Sequence, residues 1–268
     1  GHLLFSGTNA TLFGNGPELL MATIGLFDSG QPKSILPMGT VQCKKFEDGE
    51  ELLGARSPHV TMGNLFLIKN QVRGGIWDYF DLGENIVCVN AIEDNIQHRL
   101  NGCDYDSDTM LLTNNARLVE SAKSGYAQFY VPVLRKPEQN VSKEKVNDLI
   151  VLDKRISVNK IGEIINFAQR LNSIYWERKH RGEKDGQEEL YQDICKLAVL
   201  SGIEIDKAKR DFPVESDKVL KELRKKYNDE LVSRPNFFKM IDEESTEKYH
   251  QEAKKERNYD FLHTAMDY

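Results

Sequence analysis

Apolar residues along the first half of the chain come in short runs with the grammar of strands. TVQCKKF (40–46), NLFLIKN (64–70), NIVCVNAI (85–92), DTMLLT (108–113) and AQFYVPVL (127–134) are rich in β-branched and apolar side chains. Glycines and Asn/Asp clusters punctuate them, at Gly49, Gly63, Gly74–Gly75 and Gly83. Many short strands at such spacing predict a sandwich or barrel. Several runs are almost wholly apolar, which predicts strands buried on both faces.

The second half changes period. Ile161, Ile164, Ile165, Ala168, Leu171 and Tyr175 follow the i, i+3, i+4, i+7 rhythm of one helix face. A second helix is predicted over 187–201, with Leu190, Ile194, Leu197 and Ala198 inward and Gly202 in the C′ position. A third opens at Ser216 as N-cap and carries Val219, Leu220, Leu223, Tyr227 and Leu231. The charged stretch 242–268 reads as helical with a solvated face. A polar segment, 135–148, holds Pro137 and separates the two halves. The expected architecture is α+β. A β domain, sandwich or barrel, is placed at 1–140, with its strands between about 20 and 135. A helical domain is placed at 141–268.

Composition narrows the class. With 268 residues, 40% hydrophobic and 29% charged, the chain is globular and long enough to bury a substantial core. No apolar run approaches the ~20 residues of a membrane helix, so no membrane partner is expected. The opening GHLLFSGTNA lacks the pattern of a signal peptide and an initiating Met, and reads as the start of an excised piece. Cys43, Cys88, Cys103 and Cys195 form no CxxC pair, which argues against zinc and for a reducing, intracellular, cytoplasmic setting. Residues 1–140 hold 11 Lys/Arg against 16 Asp/Glu, a net of −5, and 141–268 hold 25 against 26, a net of −1. Neither half is a basic nucleic-acid footprint. If the chain handles nucleic acid, phosphate charge must be met by metal ions or by another segment.

The candidate chemistry lies in NGCDYDSDTMLLT (101–113), where Asp104, Asp106 and Asp108 alternate. In an extended or tightly turned backbone, residues at i, i+2 and i+4 point to one side. Three like charges converging there repel unless a cation sits among them, and hard oxygen ligands suit Mg²⁺, Mn²⁺ or Ca²⁺. An acidic turn with no ligand is the plain alternative. A calcium hand fails on spacing, because Gly at the sixth and Glu at the twelfth position are Thr109 and Asn115 here. A phosphatase-type nucleophile would follow a buried strand, and RLNG precedes these acids instead. An Asp-x-Asp nucleotide-sugar site remains open but leaves one aspartate unused.

The stretch resembles the Asp-x-Asp-Gly-Asp loop of the two-barrel RNA polymerases. That family includes the largest subunit of cellular RNA polymerase, the silencing-type RNA-dependent polymerases and phage-type single-chain relatives. The resemblance implies a double-psi β-barrel in which Asp104, Asp106 and Asp108 bind catalytic Mg²⁺ (Mn²⁺ as substitute) for nucleotidyl transfer. GARSPHVTMGN (54–64) resembles the family's Arg-x-Pro segment, which would put Arg56 near the sugar of the incoming nucleotide, with Pro58 and His59 shaping that wall. SGIEIDKAK (201–209) resembles a later element of the silencing polymerases, with Asp206 and Lys209 in register, although a local helix-end ion pair explains those two as well. Two departures stand out. Ser107 replaces the family's glycine, and Asn101 lies three residues before Asp104 where the family's Asn lies two before.

The resemblance further implies a nucleic acid template, nucleoside triphosphates, and a second, lysine-bearing barrel supplied by the same parent chain or by a partner subunit. The chain is therefore expected to be the metal-bearing catalytic segment of a divergent polymerase, inactive alone. The alternatives are a non-enzymatic barrel–helix assembly module, or another Mg²⁺-dependent nucleotidyl or glycosyl transferase.

Overall fold

A computed structural model describes residues 5–77, 79–133, 138, 160–207 and 212–232. The boundary segment 135–148 (Glu138 apart), Lys209 and the stretch 242–268 lie outside the described residues. The chain divides into two compact units, one at 4–134 and one that takes in 135–268.

The first unit is a closed barrel of six strands: β1 (Thr8–Phe13), β2 (Thr40–Cys43), β3 (Glu51–Ala55), β4 (Phe66–Asn70), β5 (Ile86–Val89) and β6 (Thr109–Thr113), in the spatial order β1-β5-β2-β4-β3-β6. Two parallel pairs, β1 with β5 and β2 with β4, are joined by antiparallel ones, giving the double-psi-like arrangement. Alternation decides what fills it. Ala10 and Leu12 on β1, Leu52 on β3, Ile68 on β4 and Met110 and Leu112 on β6 point inward with Val41, Val87 and Val89. Ile96, Leu100 and Cys103, from the helix α3 (Ile96–Arg99; after α1, Gly16–Thr23, and α2, Gly74–Trp77) and the turn that follows it, join that same core. They anchor the segment leading into the three aspartates. On β5 both faces are covered, since Cys88 packs with Leu36 and Ile76 outside the barrel. On β6 the alternate residue Leu111 is 38% exposed, so the middle of that strand is buried on one face only.

Asn70, fully buried at the end of β4, ties the β2–β3 connection to the barrel. Its Nδ2 lies within hydrogen-bonding reach of the carbonyls of Cys43 (3.2 Å), Phe46 (2.6 Å) and Glu47 (3.2 Å), and its Oδ1 accepts the Cys43 N–H at 2.9 Å. One side chain thus satisfies several backbone groups that no strand reaches.

Several elements differ from expectation. Residues 127–133 form no strand; they follow the helix α4 (Ala116–Gly125) as a turn and irregular chain. A closed barrel leaves no edge for another strand, and Pro132 has no N–H to offer a ladder. Strands β1 and β3 lie where none was expected, and the barrel begins at residue 8, ahead of the expected start near 20.

The second unit contains α5 (Ile161–His180), α6 (Gln187–Asp206) and α7 (Ser216–Lys226). Helix α5 buries Ile164, Phe167, Ala168, Leu171, Ile174 and Tyr175, as its period requires. Helix α6 does not stop at Gly202. It continues to Asp206, because Ser201, Gly202, Ile203 and Glu204 are all buried and packing outweighs the glycine's local cost. Nor is Ser216 an N-cap. It is the first helical residue, Glu215 holds the cap position, and the Ser216 hydroxyl donates to the buried Glu204 carboxylate. Asp193, whose side chain is wholly buried in α6, accepts from Lys196 (2.6 Å), Lys226 and the Tyr227 hydroxyl (2.7 Å).

Replacing Asn70 by Ala strands buried backbone groups and is expected to lower stability by about 3 kcal/mol, read from urea denaturation. Burial alone would raise the Asp193 carboxyl, but Lys196, Lys226 and Tyr227 outweigh it and hold the group below the ordinary carboxylate range. A depressed folded value stabilises above the unfolded pKa of about 4 and is lost as pH falls through the folded value. The urea midpoint of the helical unit should therefore drop as pH is lowered from about 4, and Asp193→Asn should flatten that limb.

Candidate metal centre

The acidic loop is held at both ends by the barrel. At its entrance, Asn101 (φ 53°) and Gly102 (φ 73°) reverse the chain, and Cys103 is buried behind them. At its exit the Asp108 carbonyl accepts the Leu12 N–H at 2.8 Å, and β6 begins at the next residue. Pinned this way, Asp104, Asp106 and Asp108 each offer a carboxylate oxygen within 4.8 Å of the others. Asp104 and Asp106 are exposed, and Asp108 is half-buried.

That donor set fits a hard divalent cation. With metal–oxygen bonds of about 2.1–2.5 Å, such an ion spreads its ligands over no more than about 4–5 Å, which matches the observed span. All three donors are anionic oxygens, the type that Mg²⁺ and Mn²⁺ take and that zinc sites seldom rely on alone.

Arg56 stands directly after β3. Strand β3 runs antiparallel to β6, with Ala55 opposite Leu111, so the residues after β3 run alongside those before β6. This register brings Arg56 to Asp108, 52 positions away. Nη2 lies 2.8 Å from both Oδ1 and Oδ2 of Asp108, and Nη1 lies 3.4 Å from the Asn101 carbonyl. Oδ2 also accepts the Asp104 N–H at 2.9 Å. Asn101 continues the frame by donating from Nδ2 to the Pro58 carbonyl at 3.0 Å, so the Arg56–Pro58 segment is tied to the loop from two sides.

A cavity of about 310 Å³ opens beside this pair, lined by Arg56, Ser57, His59 and Asp108 together with Asn9, Thr109, Leu111 and Ala55. Of the residues predicted for the site, Arg56, His59 and Asp108 share this cavity, and Asp104 and Asp106 join Asp108 outside it. Pro58 meets the site through its carbonyl bond to Asn101 rather than as cavity wall. Asn9, Thr109 and Leu111 escaped notice in the sequence; outward alternation on two neighbouring strands would have found them once β1 was recognised. Asp206 ends α6, in the other unit.

Burial sets the local titration. Desolvation pushes the Cys103 thiol up to about 11 and the Tyr105 hydroxyl up to about 12, and it holds the His59 imidazole below the ordinary histidine range. None of these groups is charged near neutral pH, which leaves Arg56 and the aspartates as the charges of the site. Ser107 adopts φ 117°, a region nearly reserved for glycine. The loop therefore keeps the backbone that a glycine would take, with a serine strained into it.

No protein-family model matches the chain, and no curated protein matches it. Among solved structures, it is similar to the RNA dependent RNA polymerase QDE-1 from Thielavia terrestris, with TM-score 0.49 and 12% identity, over 81% of this chain. The chain spans 23% of the length of that polymerase.

Relief of the strain at residue 107 exceeds the entropy that glycine adds to the unfolded state. Ser107→Gly is expected to raise stability by about 1 kcal/mol, measured by chemical denaturation.

Proposed function

We propose that this chain is the metal-bearing catalytic segment of a divergent two-barrel RNA polymerase, working on a DNA or RNA template by Mg²⁺-dependent nucleotidyl transfer. The observation that carries the reading is the convergence of Asp104, Asp106 and Asp108 on one point of a closed barrel, with an arginine and a cavity beside them. A divalent cation held there would activate an RNA 3′-hydroxyl and neutralise charge on the leaving pyrophosphate.

The chain's own residues supply position. Asp108 is fixed by the Leu12 N–H on its carbonyl and by the Asp104 N–H on its carboxylate, so one ligand is set before a metal arrives. The cavity is at the lower end of the range for small-ligand sites, large enough for part of a nucleotide. Arg56, with Pro58 and His59 behind it, would meet the sugar or phosphate of that nucleotide. The barrel half has a net charge of −5, so the cations that hold a triphosphate belong to a second barrel, in the parent chain or in a partner subunit. Alone, the segment is inactive. The four free cysteines accord with an intracellular, cytoplasmic setting.

One observation favours the second reading, a non-enzymatic assembly module. Arg56 already neutralises Asp108, so the loop is not three uncompensated charges. The intact parent protein separates the two. Asp106→Asn should cut templated nucleotide incorporation on the order of a hundredfold or more while leaving the fold in place. Unchanged incorporation would sink the catalytic assignment.

A further inference from the structure

We propose that Arg56 is a place-holding cation, one that competes with a divalent metal for Asp108 and yields only when an anionic ligand draws it into the adjacent cavity. The inference rests on the metal-bearing reading above.

The geometry of Asp108 carries it. Each carboxylate oxygen has two lone-pair directions. Oδ1 accepts from Arg56 Nη2 and Oδ2 accepts the Asp104 N–H, and Nη2 lies 2.8 Å from Oδ2 as well, so both oxygens are engaged and Arg56 stands against each of them. While Arg56 stays in place, a metal can bond Asp108 only at an oxygen that the guanidinium also touches. That bond would set a divalent ion beside a guanidinium in a spot where the two side chains are only 15% and 22% exposed. Water screens the repulsion poorly there, so metal affinity falls.

What holds the guanidinium is Asp108 itself. The Nη1 contact to the Asn101 carbonyl, at 3.4 Å, is long for a hydrogen bond. The cavity lined by Arg56, Ser57 and His59 gives the side chain somewhere to turn. His59, uncharged at neutral pH, does not repel it there. A phosphate entering this cavity matches the arginine fork in shape and charge and would pull it from Asp108. Phosphate and metal then favour each other's binding without touching, and by linkage the favour is mutual.

Mn²⁺ binding to the 268-residue chain, followed through the paramagnetic resonance of free Mn²⁺, tests the competition. Arg56→Gln should bind Mn²⁺ about tenfold more tightly than the unaltered chain. Arg56→Lys, which keeps the charge, should stay within a few-fold of it. Equal or weaker binding by a folded Arg56→Gln variant overturns the proposal, because Arg56 would then support the ligand rather than compete for its place. A second measurement does not depend on that variant folding. Inorganic sulfate, a tetrahedral dianion, should raise the Mn²⁺ affinity of the unaltered chain several-fold over chloride at equal ionic strength. No rise under sulfate also overturns it. If neither the unaltered chain nor Arg56→Gln binds Mn²⁺ at millimolar concentration, the metal-bearing reading itself fails.

Discussion

Strand β6 is bonded along both edges, to β1 on one side and β3 on the other. That double pairing closes the barrel, and the site depends on it. Closure sets where Thr109 begins, hence where Asp108 sits and which way the loop before it must turn. The same pairing carries the end of β3 past the start of β6 and delivers Arg56 to Asp108. A slip of one residue in this register would turn Met110 and Leu112 outward and Leu111 into the core. It would also part the arginine from its carboxylate. Core packing and site geometry are therefore specified by one set of backbone hydrogen bonds.

Like charges close in sequence are costly unless something compensates them, and the loop is compensated in layers. The Asp104 N–H and the Arg56 guanidinium meet Asp108 from within the protein, while Asp104 and Asp106 face outward. Ile96, Leu100 and Cys103 supply the apolar footing behind them. The loop is thus an outgrowth of the core rather than a surface appendage, and its conformation is imposed by neighbours more than by the preferences of its own residues.

The acidic alternation was legible because its geometry is local: every second residue on one side needs no knowledge of the rest of the chain. Helix α5 was legible for the same reason. Strand β1 was not, because TNATLF has an inward face of only Ala10 and Leu12, too thin an apolar stripe beside its polar neighbours. Strand β3 was hidden by Gly54, which reads as a breaker. The structure uses it for close approach, since a Cβ there would fall 2.7 Å from the Met110 sulfur. Helix α1 inverts the usual code: Glu18 is buried, accepting from the Ser34 hydroxyl and the Ile35 N–H, while Leu19 is 67% exposed. The partner of Arg56 was out of reach for a different reason. Fifty-two residues separate it from Asp108, and only strand order brings the two together.

Ser107 shows what kind of object the loop is. A turn shaped by local preference would keep a residue with a side chain out of positive φ. This one is positive in φ regardless. The barrel acts on residues 104–108 as a mould acts on its casting, holding a form the material would not take alone. Such a site tolerates drift in composition without drift in shape. Its aspartates can keep their mutual placement through substitutions that would scramble a loop free to choose.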